Sequence, residues 1–226
     1  MGTLLQDVRH SLRILRQSPG FTVAAIAALT LGIGANTAIF SVVNSVLLKP
    51  APFPHPDRLV LFENTSPQGS GPGASPTKFQ HWREQTGIVQ DVAAFRTGVV
   101  NLTGGGFPEQ LQSAQVSADF FKLFGAVPAL GRTFTPQEDL PQADKAVVLA
   151  NGFWTRRFAA DPGIIGKTVL LGGEPHVVVG VLAPGFDFRD FGLPPDVFVP
   201  FQLDPHPTDQ GHYFRAAGRL RPGVTT

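Results

Sequence analysis

The chain of 226 residues has room for one or two domains, and its formal net charge is +1. It contains no cysteine, which excludes disulfides, thiolate metal sites and a thiol nucleophile within it. The charge is uneven, because residues 1–49 carry four Lys/Arg and one Asp, whereas residues 50–226 carry fourteen Lys/Arg and sixteen Asp/Glu. The second part lacks the clustered basic face of a nucleic-acid binder, so we expect no nucleic-acid partner.

Residues 1–19 are predicted to form a cytoplasmic amphipathic helix. Apolar residues recur there at helical spacing, beside a basic stripe formed by Arg9, Arg13 and Arg16. Such a helix suits the membrane interface, with its arginines toward anionic headgroups, so the lipid bilayer is a predicted partner. The alternative is a solvated helix whose arginines only set topology. Ser18-Pro19-Gly20 is predicted to separate this helix from the next one.

Residues 20–48 are predicted to form one transmembrane helix. The run from Phe21 to Leu48 holds no charge, and as a helix it would reach roughly 42 Å, enough to cross a hydrocarbon core of about 30 Å. The preceding arginines put the N-terminus in the cytoplasm by the positive-inside rule. The run is about twice as long as the apolar region of a secretory signal, which favours an uncleaved anchor. Cleavage after Ala38 is the alternative.

One face of this helix is predicted to pack against other helices. Small or short side chains recur at a spacing of four residues, at Ala24, Ala28, Gly32 and Asn36. This spacing places them on one face, where small residues let a neighbouring helix approach closely. The alternative is that Ala and Gly are simply common in membrane helices.

Residues 49–226 are predicted to form a mixed α+β domain that is large enough to fold without disulfide bonds. Prolines at alternate positions from Pro50 to Pro56 indicate a stiff, extended exit from the membrane. Gln68–Ala74 is rich in glycine and is predicted to be a flexible loop. Helices are predicted to begin at Ser75-Pro76 and to cover 118–124 and 152–158; strands are predicted at 58–63, 93–103, 109–117, 146–149, 167–171, 176–182, 196–200 and 213–220.

No catalytic, cofactor-binding or metal-binding residue is predicted, so we expect no enzymatic activity. The segment Gly163–Thr168 resembles the end of a phosphate-binding loop, but it lacks the first glycine and leads into a strand. A stretch with Asp204, His206, Asp209 and His212 has no spacing that would align metal ligands, and a polar loop is favoured. The acidic cluster of Glu138, Asp139 and Asp144 is interpreted as a solvated loop.

Several separate segments together carry a family resemblance. They are Asp7–Arg13, Leu29–Phe40, Val43–Pro50, Pro56–Val60, Val116–Phe121, Gly131–Phe134 and Gly218–Val224. With these segments the chain resembles permease subunits of the MacB/FtsX-like ABC transporter superfamily, in particular the acidobacterial-type duplicated permeases.

The resemblance implies a permease of the bacterial inner membrane, with a first transmembrane helix followed by a MacB-like periplasmic core domain. It further implies a cytoplasmic ABC ATPase subunit, other permease helices or a second permease copy, a periplasmic adaptor protein, and a role in efflux. Such permeases have further spanning helices after the periplasmic domain, whereas this chain stops at Thr226, so we expect a fragment or a truncated product. The alternative is a single-pass anchored binding or scaffolding module without transport activity.

Overall fold

The computed structural model describes residues 10, 13, 16–43, 53–67, 69–105, 107–204 and 207–225. The chain divides into two compact units, residues 1–50 and residues 51–226.

The first unit is dominated by one long apolar helix, α1, over Pro19–Val43. Proline suits the first helical position, because its missing N–H would have no partner there. The residues described before it are helical at 10, 13, 16 and 17, and Ser18 interrupts them. The predicted break is therefore Ser18 alone, since Pro19 and Gly20 already belong to α1. Residues 44–48 of the predicted span lie outside the described residues.

The second unit combines short strands with short helices, which confirms the predicted α+β class. Its helices are α2 (Pro76–Glu84), α3 (Phe120–Phe124) and α4 (Asn151–Phe158). Its strands are β1 (Leu59–Leu61), β2 (Asn64–Ser66), β3 (Gly69–Gly71), β4 (Val89–Thr103), β5 (Glu109–Val116), β6 (Pro128–Gly131), β7 (Ala146–Leu149), β8 (Thr168–Leu171), β9 (Glu174–Leu182), β10 (Val197–Pro200) and β11 (Arg215–Leu220).

Nine of these strands form one sheet in the order β1-β11-β4-β5-β10-β7-β9-β6, with β8 joined to both β4 and β9. Because β8 bridges two distant strands, the path β4-β5-β10-β7-β9-β8 returns to β4 and makes a closed ring. The longest pairing is the antiparallel β4–β5 hairpin, which runs from Phe95 opposite Val116 to Leu102 opposite Glu109. The closed ring brings together side chains from strands that are far apart in the sequence.

Three apolar clusters fill the second unit. The first is rich in phenylalanine and lies between α3 and the sheet, where the Phe95 ring approaches those of Phe124 and Phe188 at 5.7 and 5.3 Å between centroids. The second combines ring strands with Phe153 of α4. The third packs Phe79 of α2 against β4 and β11. Side chains alternate between the two faces of β4, and the strand is 15 residues long, so it contributes to two clusters at its start and to the third near its end.

Local signals in the sequence place several element ends correctly. The Ser75 hydroxyl accepts a hydrogen bond from the Lys78 amide at 3.3 Å, so α2 begins with the predicted cap. Gly125 ends α3 with a φ of +71°, which a glycine adopts at little cost.

The strand predictions for the second unit need correction. The expected flexible loop over Gln68–Ala74 instead contains β3, which pairs antiparallel with β2. Strand β6 was not predicted at all, and it pairs with β9 at the end of the sheet. Both strands pair through backbone groups and need no strong alternation of apolar side chains, so the sequence pattern does not reveal them.

Candidate functional site

The predicted helix-packing residues all lie on α1 and are all exposed. They are Ala24, Ala28, Gly32 and Asn36. Among the described residues, α1 is the one helix long and apolar enough to span a membrane: an 18-residue window within Pro19–Ser41 has a mean hydropathy of 1.8, and none of that window is buried. A Cβ built at Gly32 would meet no atom within 4 Å outside the adjoining helix backbone. The face is thus accessible to another helix, and its role in packing stays a prediction.

Two threonine hydroxyls of α1 donate to backbone carbonyls four residues earlier in the chain. The Thr37 hydroxyl donates to the Ile33 carbonyl at 2.8 Å, and the Thr22 hydroxyl donates to the Ser18 carbonyl at 3.0 Å. In a hydrocarbon core, unsatisfied polar groups are costly because no water is available to hydrogen-bond them. These internal hydrogen bonds suit the helix to such a core.

The predicted membrane-interface residues are only partly described. Arg13 and Arg16 are helical, and their side chains are exposed. Arg9 lies outside the described residues. Their contact with anionic headgroups stays a prediction.

The acidic cluster is not the solvated loop that we predicted, because two of its members hold the loop together. Glu138 accepts hydrogen bonds from both terminal nitrogens of Arg132, at 2.7 and 2.8 Å, and from the Thr135 amide at 2.8 Å. Asp139 accepts hydrogen bonds from the Ala118 amide at 2.9 Å and the Gln202 amide at 3.0 Å. Only Asp144 remains exposed as expected. Glu138 thus braces the loop internally, and Asp139 fastens it to the residues that follow β5 and β10.

The two other polar candidates are occupied by local contacts. At the segment that resembles a phosphate-binding loop, the Asp161 carboxylate accepts from the Gly163 amide at 2.8 Å and from Lys167 at 3.2 Å. In the Asp204–His212 stretch, Asp209 accepts from the Gly211 amide at 2.8 Å, and His206 lies outside the described residues. Within the part of the chain that is described, no group of three or more His, Asp or Glu is placed to hold a metal.

A cavity of about 400 Å³, here called the ring cavity, lies against five of the six ring strands. Apolar side chains of Val100, Leu171 and Val199 line it beside Gly98. Polar side chains come from β4, β5 and β9, at Arg96, Gln115 and His176. A volume of this size falls in the range typical of small-molecule sites, roughly 300–1,000 Å³.

Arg96 is held in place by neutral and aromatic groups. Its Nε donates to Gln115 Oε1 at 3.0 Å, and its Nη2 donates to the same oxygen. The guanidinium carbon lies 5.8 Å from the Phe201 ring centroid and 5.7 Å from the Tyr213 ring centroid. Among the described residues no carboxylate forms an ion pair with Arg96, so its charge is oriented but not neutralised.

His176 of β9 lines the ring cavity and is half-buried. Burial lowers its pKa, which favours the neutral imidazole at neutral pH. Its Nδ1 is 3.0 Å from the Glu174 carbonyl and must donate the hydrogen bond there. The other nitrogen, Nε2, is then an acceptor in the neutral ring.

Comparison with known proteins decides the family. The family model of the MacB-like periplasmic core domain matches residues 22–226, which include most of α1 and the whole second unit. The chain belongs to this family. The match thus joins the apolar helix and the MacB-like core domain in one continuous unit of sequence. Among proteins with curated annotation, none matches the chain significantly.

Solved structures share the fold of the MacB-like core domain. The periplasmic region of MacB from Actinobacillus actinomycetemcomitans matches with a TM-score of 0.55 at 16% identity, covering 74% of this chain and 76% of that one. A domain from Porphyromonas gingivalis described as a permease matches at 0.58 and 16% identity, covering 77% and 78%. The extracellular domain of the noncanonic ABC-type transporter YknZ from Gram-positive bacteria matches at 0.53 and 16% identity, covering 73% and 84%. At this identity the likeness establishes the fold alone.

The sequence contains a signal for part of the ring cavity in this MacB-like domain. Arg96 lies nine residues before Gly105 and Gln115 lies ten residues after it, so a hairpin about this turn brings the two near each other, and the structure pairs them. Leu171 and His176 join them only through the closure of the ring by β8. No local pattern indicates that closure, so sequence reasoning missed the cavity.

Proposed function

We propose that this chain is part of a permease subunit of a MacB/FtsX-like ABC transporter in a bacterial inner membrane. A separate cytoplasmic ATPase hydrolyses ATP, and helices including α1 transmit the resulting movement to the periplasmic core domain, which drives export. The observation that carries this proposal is the single family match over residues 22–226, because it includes both a helix of spanning length and the core domain.

In this proposal the chain has no catalytic role and binds no cofactor of its own. The face of Ala24, Ala28, Gly32 and Asn36 packs against other permease helices or a second permease copy. Arg9, Arg13 and Arg16 keep the N-terminus at the cytoplasmic surface, near the ATPase. A periplasmic adaptor protein is a further partner of the core domain.

The second candidate function is a membrane-anchored binding module without transport activity. The ring cavity favours it, because a formed cavity of about 400 Å³ can serve ligand binding without any movement of helices. The two functions differ in one respect that can be measured: only the transporter requires the core domain to respond to nucleotide at the opposite side of the membrane.

The test measures whether a fluorophore on the core domain responds when nucleotide binds to the ATPase. Because the chain has no native cysteine, Phe107→Cys gives a single labelling position, and Phe107 is fully exposed. The labelled full chain is reconstituted in vesicles with the ABC ATPase that copurifies with it, and ATP with vanadate is added. The proposal predicts a change in emission that is absent when the ATPase lacks its P-loop lysine.

Unchanged emission while ATP is hydrolysed would contradict the coupling and leave the binding module as the better account. A second labelling position, Ser70→Cys on the exposed strand β3, checks that the response is not specific to one probe.

A further inference from the structure

We propose that the ring cavity is a binding site for a small amphiphilic carboxylate. The carboxylate pairs with Arg96, and the aliphatic part lies against Val100, Leu171 and Val199. This inference goes beyond the transport proposal and does not depend on it, since a ligand site in the core domain can serve a transporter or an anchored module alike.

The position of Arg96 supports a carboxylate at one end of the cavity. Gln115 occupies the Nε–Nη2 edge of the guanidinium, which leaves the edge carrying Nη1 for a planar, two-oxygen partner. The Phe201 and Tyr213 rings orient the guanidinium, so little side-chain freedom is lost on binding. Arg96 is exposed, so an anion can reach it from solvent.

The wall beyond Arg96 supports an aliphatic body. Val100 of β4 and Val199 of β10 are half-buried, and Leu171 of β8 is buried, so the cavity continues into the second apolar cluster. Arg96 and Val100 are four residues apart on one strand, a distance of roughly 13 Å along the backbone. A short acyl chain fits this length with its carboxylate at the Arg96 end.

The electrostatic surroundings favour a single negative charge. His176 is the other titratable group on the cavity wall, and it is held neutral by burial. Asp204 and Asp209 line an adjoining space that Arg96 also borders, and neither forms an ion pair with Arg96. Asp209 is instead engaged by the Gly211 amide and by the Tyr213 hydroxyl. These carboxylates would repel a dianion about twice as strongly as a monoanion, so among anions a monoanion is favoured.

Gly98 allows the cavity to be filled without disturbing the fold. It lies on β4 between Arg96 and Val100, and a Cβ built on it would meet only the Ser113 hydroxyl oxygen, at 3.9 Å. Its φ is not in the left-handed region, so other residues are tolerated there. Gly98→Leu therefore puts a side chain into the space proposed for the acyl chain.

The test is equilibrium dialysis of radiolabelled octanoate against the full chain in lipid nanodiscs, with empty nanodiscs as the blank for partition into lipid. The expected result is saturable binding of one octanoate per chain. Butyrate should bind at least tenfold more weakly, since each buried methylene tightens binding by about threefold to fourfold. Octylammonium, which has the same chain and the opposite charge, should not compete.

Two variants with matched controls assign the site. Arg96→Gln should weaken octanoate binding at least tenfold, whereas Arg83→Gln, which removes an exposed arginine from α2, should leave it unchanged. Gly98→Leu should abolish binding, whereas Gly71→Leu should not, because strand β3 does not line the ring cavity and nothing lies within 4 Å of a Cβ built at Gly71. The emission of Trp82 and Trp154, both in the core domain, verifies that each variant is folded.

Three results would overturn the proposal. The first is the absence of saturable octanoate binding to the wild-type chain. The second is equal binding by folded Gly98→Leu and Gly71→Leu. The third is binding of octylammonium as tight as that of octanoate, which would remove the role of Arg96.

Discussion

At the scale of single residues, Arg219 is a buried cation held by backbone carbonyls. Its side chain is 4% exposed, and it donates to the carbonyl oxygens of Pro54 and Leu123 and, at 3.4 Å, to that of His55. Burial lowers the pKa of Arg219, and the Asp91 charge opposes this effect. A guanidinium stays protonated in proteins, so the charge is retained and linked to the carbonyl end of α3.

Replacing Arg219 by methionine should lower the free energy of unfolding by about 2–3 kcal/mol, because buried carbonyl groups lose their donors. The measurement is urea denaturation followed by the emission of Trp82 and Trp154. Arg83→Met is the control, since its 4.0 Å pair with Asp119 is half-exposed and should contribute less than about 1 kcal/mol. Equal destabilisation by both substitutions would show that the buried hydrogen bonds of Arg219 stabilise the fold no more than the exposed pair of Arg83 does.

Glu138 should give the core domain a specific sensitivity to acid. The hydrogen bonds from Arg132, against the opposing effect of burial, hold the pKa of Glu138 below its ordinary value. A carboxyl group with a lowered folded-state pKa stabilises the fold above its unfolded pKa of about 4.3, and this stability is lost as the pH falls through the folded pKa. The loss of stability between roughly pH 5 and pH 3 should therefore be smaller in Glu138→Gln than in the wild-type chain.

Urea denaturation across this pH range measures the effect, and Arg132→Gln should flatten the same portion of the curve. If the acid dependence of both variants parallels that of the wild type, the Arg132–Glu138 pair contributes nothing to it.

At the scale of secondary-structure elements, local signals decide what the sequence predicts. Ser75-Pro76 fixes the start of α2, and the glycine turn fixes the register of β4 with β5, because each acts within a few residues. The bridge that β8 makes between β9 and β4 depends on its pairing with β4, about seventy positions earlier in the chain, whereas its pairing with β9 is a local hairpin. Backbone pairing of this kind has no short-range signature, so the closed ring and the ring cavity could not be predicted.

The end of α3 provides a test of backbone conformation. Gly125 has a φ of +71°, and a Cβ built there would lie 2.4 Å from the Pro54 ring. Gly125→Ala should therefore destabilise the core domain by about 1–3 kcal/mol, through strain and overlap together. Gly152 in α4 has open space around it, and Gly152→Ala should be neutral or stabilise by up to about 1 kcal/mol. Thermal unfolding followed by circular dichroism distinguishes the two, and a similar change in both would contradict the argument.

At the scale of the whole molecule, the sequence predicts that α1 is a helix and that the core domain is α+β, but it does not predict what α1 packs against. The uncharged run predicts α1 directly, and the described helix over Pro19–Val43 confirms that it is helical. The α+β class of the core domain also follows from its short strands and helices. The role of the small-residue face does not follow, because the packing of two membrane helices depends on the partner helix as well as on the face itself.

The face of α1 can be tested by substituting its two glycines separately. Gly32 lies on the proposed face, and Gly34 is two positions away on a different face. Gly32→Leu should reduce energy transfer between donor-labelled and acceptor-labelled copies in vesicles several-fold, because a large side chain blocks close approach. Gly34→Leu should leave it close to the wild-type value. Equal effects would mean that the face contributes nothing beyond general helix composition.

The most direct test of the central claim is the membrane topology of the chain. In intact spheroplasts, a membrane-impermeant maleimide is applied to two single-cysteine variants, His10→Cys before α1 and Phe107→Cys at the exposed tip of the β4–β5 hairpin. If α1 crosses the membrane and the core domain is periplasmic, Phe107→Cys is labelled at once, and His10→Cys is labelled only after permeabilisation. Protection of Phe107→Cys, or immediate labelling of both positions, would contradict an anchored periplasmic core domain with a cytoplasmic N-terminus.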